Sequence, residues 1–549
     1  MRPAVPFRHR RSLPGRPSRR AVPARPGLVP REPLVPRHPA IEPVPDRSTG
    51  RYDMTDPALF WNDVAIEVAR RDFDPFPGPN GSPMIMPEQG GPTRTSRALA
   101  MVHLAMYEAF ALSDPPDRLT PYGLAVPPDR GAWAAAAIGG AAARALRDLY
   151  PRQAVFVSDQ FAAFAAMLLG SGMAPGDVGR GQQFGERVFA AMAALRQGDA
   201  PIVSQPDDKN FTFLDGRHQP DPYASDQGRL NPLWGQLPAF CRKAVRQDGT
   251  VAVYDHHEYL DAPPGHTPGN VDQGYRDSFN EVKQFGGADS AARSVDQRII
   301  ATFWAYDGAW RIGTPPRLYN QCARAMIAAL AEAGTTLTTP QVLRLLALIN
   351  MGMADAGIIA WQAKYDYDLW RPVVGIRQQD DGLGYDGGAL AAVTDSDPFW
   401  KPLGMPRTNQ VGMFNRTPNF PAYPSGHASF GTTCFEILRR FLNEEAGGNK
   451  PSFVVKSEEF DGKNVDPDGS VRPVHHRTLT LAEAIRENIE SRVYLGVHWR
   501  FDGEDRTRTH GWGGDALGRK LARRIFKRCL TRKATATAAK TATTSTPSS

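Results

Sequence analysis

The chain has 549 residues, 41% hydrophobic and 22% charged, a balance that fits a globular protein with a substantial core. Its net charge of +7 sits at the ends, because residues 1–50 hold 11 Arg against 3 acids and Arg532, Lys533 and Lys540 follow near the end. The body between is slightly acidic, which argues against nucleic acid as a partner, and no uninterrupted apolar run approaches the roughly 20 residues of a membrane-spanning helix.

Residues 1–50 include 12 Pro and almost no aromatic residue, and are expected to be disordered. Arg19-Arg20 is followed by no apolar stretch, so neither twin-arginine nor Sec export is expected, and a cytoplasmic location is favoured over non-classical export. The abrupt change in composition also makes Met54 an alternative start. Ordered structure begins at Asp56-Pro57, a cap followed by proline at the first helical position. Leu99, Val102, Met106 and Phe110 recur at helical spacing over 95–112, and Ala-rich segments 131–150, 155–169 and 176–196 continue as closely packed helices.

From Gly198 to about Asp289 periodicity fades into Pro, Gly and Asp, which reads as a long irregular insertion wrapping or rimming the body. His256-His257 within it is assigned to a solvated loop, because adjacent histidines on a regular element cannot both face one ion. Helices return over 294–310, 317–334 and 340–370, the last opening at Thr339-Pro340 and carrying Lys364. Further helices are expected over 426–443, 481–494 and 515–530, before a disordered tail at 531–549. The fold class is all-α: one domain over 51–530, built around two four-helix-bundle-like units. Cys241, Cys322, Cys434 and Cys529 show no metal-ligand spacing and are read as buried or free thiols.

Three clusters between 364 and 502 carry chemistry. Lys364 and Arg371 lie two helical turns apart, so on one helix both would project from nearly one face and could converge on a small anion. Pro424-Ser425-Gly426-His427 precedes a helix, where the Ser hydroxyl, the Gly amide and the helix dipole favour an anion and His427 is placed for proton transfer. Arg492 adds a fork of donors, and His498 is followed four residues later by Asp502, which can fix the imidazole tautomer.

Together K-x6-RP, PSGH and SR-x5-H-x3-D resemble the signature of the superfamily shared by vanadium-dependent haloperoxidases and type 2 phosphatidic acid phosphatases. Phe303 to Gly308, Asp355 to Trp361, Trp370 to Pro372 and Phe420 to His427 look like the chloroperoxidase branch. The resemblance implies that Lys364, Arg371, Ser425, Gly426 and Arg492 bind vanadate oxygens, with His498 as the vanadium ligand and His427 as acid–base residue. It also implies that Asp307 pairs with Arg492 and that Trp361 and Phe420 line the halide side. The implied reaction oxidises chloride or bromide with hydrogen peroxide to hypohalous acid, Lys364 polarising the peroxide, and then halogenates an organic acceptor. The alternative is an acid phosphatase in which His498 attacks phosphorus and His427 protonates the leaving group.

Overall fold

A computed structural model describes residues 56–531 apart from 77–85, 114–118, 242–246, 249–250, 268–269 and 379–395. The expected disorder at 1–50, Met54 and nearly all of the tail lie outside the described residues. Helix α1 (Pro57–Arg71) starts where the cap predicts, Asp56 Oδ1 accepting from the N–H groups of Ala58 and Leu59. It is followed by α2 (Gly91–Ser113), α3 (Ala134–Leu149), α4 (Ala154–Gly170) and α5 (Pro175–Leu195). Small residues do bring these helices close: a methyl group on Gly185 of α5 would overlap the α3 backbone at Ala137 and Ala141.

The stretch expected to be irregular holds more order than its composition suggests. A short turn, α6 (Ala200–Val203), the two-residue hairpins β1–β2 (247–248, 251–252) and β3–β4 (266–267, 270–271), and a 13-residue helix, α7 (Gln273–Phe285), lie within it. Helix α7 buries only Tyr275, Ser278, Phe279 and Val282, a stripe three to four residues apart in an otherwise polar segment. The rest is threaded into the body: His218 N–H donates to Asp368 O, and Leu230 N–H to Asn419 O. Phe240 and Cys241 N–H groups donate to the buried carboxylate of Asp355, which burial raises to about 6. His256 is buried rather than solvated, bonding Asp366 at 3.0 Å, and the ligand atoms of His256, His257 and Asp366 lie within 4.8 Å of one another. A 3-10 turn, not a regular helix, lets the two imidazoles converge. Cys241 and Cys529 are joined as a disulfide, whereas Cys322 and Cys434 are buried free thiols. A separation of 288 residues hides that pairing from any spacing rule.

The later half comprises α8 (Val295–Phe303), α9 (Pro315–Glu332), α10 (Thr339–Tyr367), α11 (Pro372–Gln378) and α12 (Gly426–Glu445). A four-residue hairpin, β5–β6 (453–456, 476–479), precedes α13 (Leu481–Tyr494), α14 (Arg500–Gly503) and α15 (Gly513–Arg528). The cap of α10 is Thr338, one residue before the expected position, in a reciprocal pair with Gln341. Helix α10 runs through the centre, packing on α2 on one side and on α12 and α15 on the other. Helix-length segments 151–170 and 339–367 are apolar enough to cross a membrane by length and composition, and the most apolar window of the second is wholly buried.

Candidate active site

Helix α10 ends at Tyr367, and Asp368 turns left-handed at φ 47°. Lys364 and Arg371 therefore do not share a helical face as the two-turn spacing predicts; a reversal brings them together. Three successive carbonyls receive them. Lys364 Nζ donates to Pro421 O at 2.7 Å and Ala422 O at 3.0 Å, and Arg371 Nε donates to Phe420 O at 2.9 Å. Among the described residues neither cation has a carboxylate at ion-pair distance. Burial, aggravated for Lys364 by Arg371, pushes its ammonium well below the usual lysine range, and burial lowers Arg371 to about 9.

Arg371 Nη1 also donates to Val497 O at 2.7 Å and to His498 Nε2 at 2.9 Å. On the other ring nitrogen, His498 Nδ1–H donates to Asp502 Oδ2 at 2.8 Å, so the tautomer leaves a lone pair on Nε2. Asp502 also accepts from Trp499 N–H at 3.0 Å, and burial raises it to about 7. His498 is held well below the usual histidine range by burial and then by Arg371, Lys364, Arg492 and His427. Arg492 makes a bidentate pair with Asp307, at 3.0 and 2.8 Å.

Ser425 caps α12, its hydroxyl accepting from Ala428 N–H at 3.4 Å while its own N–H donates to Asp502 O. The N–H groups of Gly426 and His427 belong to the first turn, where the helix supplies no acceptor. His427 Nε2–H donates to Ala305 O at 2.6 Å, and burial, then Arg492, keeps the ring neutral. Trp361 and Phe420 lie 4.8 Å apart between ring centroids, with Lys364 Nζ 5.6 and 5.0 Å from them. A cleft of about 660 Å³ is lined by Trp361, Phe420, Gly426, His427, Asp307, Arg492 and His498. The residues of the three clusters thus gather in one place with Asp307, Trp361 and Phe420, although Lys364, Arg371, Ser425 and Asp502 are not among the cleft's lining residues.

Some members of the site carry no sequence signal. The carbonyls of 420–422 are invisible in side-chain letters. Asn488 and Tyr319, which hold His427 O at 2.8 and 3.1 Å, lie outside the motifs. His218, from the insertion, is buried with both ring nitrogens unpartnered among the described residues and lies close enough to Arg371 and Lys364 for their charge to lower its pKa further.

The donor set fits a compact oxyanion. Arg371 Nη2 and Arg492 Nε are buried without partners among the described residues, beside an imidazole lone pair and the open first turn of a helix. A helical body holding three cations in this way is an oxyanion-centred enzyme by architecture.

Comparison with known proteins gives that architecture its family. Residues 344–532 match the VCPO second helical-bundle domain. The vanadium chloroperoxidase of Curvularia inaequalis is 32% identical over 505 residues, covering 81% of this chain and 78% of that protein. A bacterial vanadium-dependent iodoperoxidase structure superposes with TM-score 0.60 at 19% identity, covering 86% of this chain and 96% of the other. A holo bacterial vanadium-dependent chloroperoxidase gives 0.53 at 14% identity, covering 80% and 92%. The chain belongs to the vanadium chloroperoxidase family. It is a haloperoxidase with vanadate as cofactor, and its substrates are small molecules.

Proposed function

We propose that this enzyme oxidises chloride and bromide with hydrogen peroxide to hypohalous acid, which then halogenates an organic acceptor. The observation that carries this reading is the buried, carboxylate-poor pair of Lys364 and Arg371 beside the unprotonated Nε2 of His498, which accepts from Arg371 Nη1. Bound vanadate supplies Lewis acidity toward the peroxide. Lys364, Arg371 and Arg492 would offset its negative charge, Ser425 and Gly426 would present the helix end to it, and His498 Nε2 would be the ligand atom. Asp502 holds the proton on His498 Nδ1 so that Nε2 stays available. His427 takes and returns a proton at Nδ1, since Nε2 is committed to Ala305. Trp361 and Phe420 keep water from the halide side, and Lys364 polarises the peroxide.

The balance is simple. Halide, hydrogen peroxide and one proton give hypohalous acid and water, two electrons passing from halide to peroxide oxygen. The acid then exchanges its halogen for a ring proton of the acceptor, releasing water. Orthovanadate, peroxide and bromide together should brominate a phenol-type dye, and omission of vanadate should stop it. Vanadate-inhibited phosphomonoesterase activity without halogenation would instead mark the phosphatase chemistry, in which His498 attacks phosphorus.

A further inference from the structure

The cleft lined by His498 carries two further guanidinium groups with no carboxylate at ion-pair distance among the described residues. Arg407 and Arg416 line the same cavity as His427, Arg492 and His498. The chain doubles back to bring them together: Met405 and Arg416 form an antiparallel bridge, Met405 N–H donating to Arg416 O at 2.8 Å. Arg407 N–H, two residues on, donates to Asn415 Oδ1 at 3.1 Å. The charge of Arg416 is felt at Arg407, so the two guanidinium groups lie near one another in the cavity they both line.

Neither guanidinium makes a hydrogen bond or ion pair with any described residue, and Arg416 Nε is buried without a partner. The other charged groups of that wall are already engaged. Arg94 donates to Val203 O and Gln205 O, and Asp207 accepts from Asn419. Asp226 attracts both arginines without forming an ion pair with either, and Asp221, which also attracts Arg416, already accepts from Tyr223 and Thr417. Burial, then the charge of Arg416, lowers Arg407 to about 10. Two half-buried guanidinium groups without a direct carboxylate partner are suited to hold an anion. The same wall holds Gln410, buried, with its amide oxygen unpartnered, while Phe73, Trp310, Met405 and Phe430 make much of the remainder apolar.

We infer that Arg407 and Arg416 form a carboxylate subsite for the organic acceptor, which is an aromatic acid whose hydroxyl donates to Gln410 Oε1. The inference rests on the halogenating reading and deepens it. The guanidinium pair holds the acceptor's carboxylate, the apolar wall covers its ring, and the ring carbon receives the halogen as its proton leaves to water. An acid so held is halogenated inside the cleft; a neutral analogue meets hypohalous acid only by diffusion.

The test compares a phenolic carboxylic acid with its methyl ester as acceptors for the vanadate-loaded enzyme, in the wild type and in Arg407→Gln, Arg416→Gln and the double variant. The acid should show the lower KM in the wild type, and the double variant should raise the acid-to-ester KM ratio about tenfold or more. Arg407→Lys with Arg416→Lys, which keeps the charge, should recover part of the preference. Titrating acid and ester into the protein by tryptophan fluorescence gives a readout that needs no turnover, so the subsite can be judged even if no halogenation is found. The acid should quench at lower concentration than the ester, and this difference should vanish in the double variant. Equal KM and equal binding of acid and ester in the wild type would overturn the inference. So would a double variant whose only change is weaker vanadate or halide binding, because the pair would then serve an inorganic anion.

Discussion

The helices before residue 200 and the cluster around His498 bury ionic groups in opposite ways. In the early helices Arg70 meets Glu67 at 2.8 Å, and Arg97 and Arg196 both reach Asp199 at 2.7 Å. The buried imidazole there meets only uncharged partners, His103 bonding Leu99 O and Asn62 Oδ1. At the cluster Lys364 and Arg371 are held by carbonyl oxygens, and His498 Nε2 faces a cation. Closed accounts of charge mark scaffold, and an uncompensated excess marks the place where an anion completes the protein.

The strongest challenge to this contrast removes the central imidazole. His498→Ala should lower halide oxidation about a thousandfold or more, with normal far-ultraviolet circular dichroism; a variant with near-native turnover would end the assignment. Next come matched charge deletions read by urea unfolding of the cofactor-free protein. Arg97→Met strands part of Asp199's charge and should cost about 3 kcal/mol, whereas Lys364→Met should cost about 1 kcal/mol or stabilise. Similar losses at both positions would mean that the early helices and the His498 cluster do not differ in kind. Vanadate at a hundred times its dissociation constant should add about 2.7 kcal/mol to the wild type. Arg97→Met should respond equally and His498→Ala not at all, as melting temperatures would show.

The smallest effect concerns acid. Burial puts His103 at about 4 and holds His427 and His498 well below the usual histidine range, so the unfolded chain binds more protons once pH falls below about 6.5. Stability contributed by each neutral imidazole is therefore complete above that pH and lost on acidification, by at most ~1.4 kcal/mol per pH unit for each. His103→Gln and His498→Gln should each remove one such share from the slope of unfolding free energy against pH.

What could be read in the sequence was whatever local chemistry dictates. Asp56-Pro57 announces a helix start because a cap and a proline act within four residues. The three anion-site clusters are recognisable because their side chains carry their own donors and charge. The helical geometry imagined for Lys364 and Arg371 fails at Asp368, where a non-glycine residue adopts a left-handed turn that no local pattern announces. The clamp at 420–422 consists of main-chain oxygen, which every residue has, so no letter distinguishes it. Helix α7 was hidden because four buried positions sit in a polar, Asp-rich stretch, and the Cys241–Cys529 bond depends on where two distant segments end up.

Helix α10 bears on how such a molecule can be cut or inherited. The matched bundle domain begins at Arg344, only a few residues into a 29-residue rod that is buried from Val342 to Trp361 and touches both halves. A boundary drawn there passes through a shared spine about 43 Å long. Severing the gene at that point would strip each fragment of the wall its neighbour needs, so the two pieces should regain order only when expressed together.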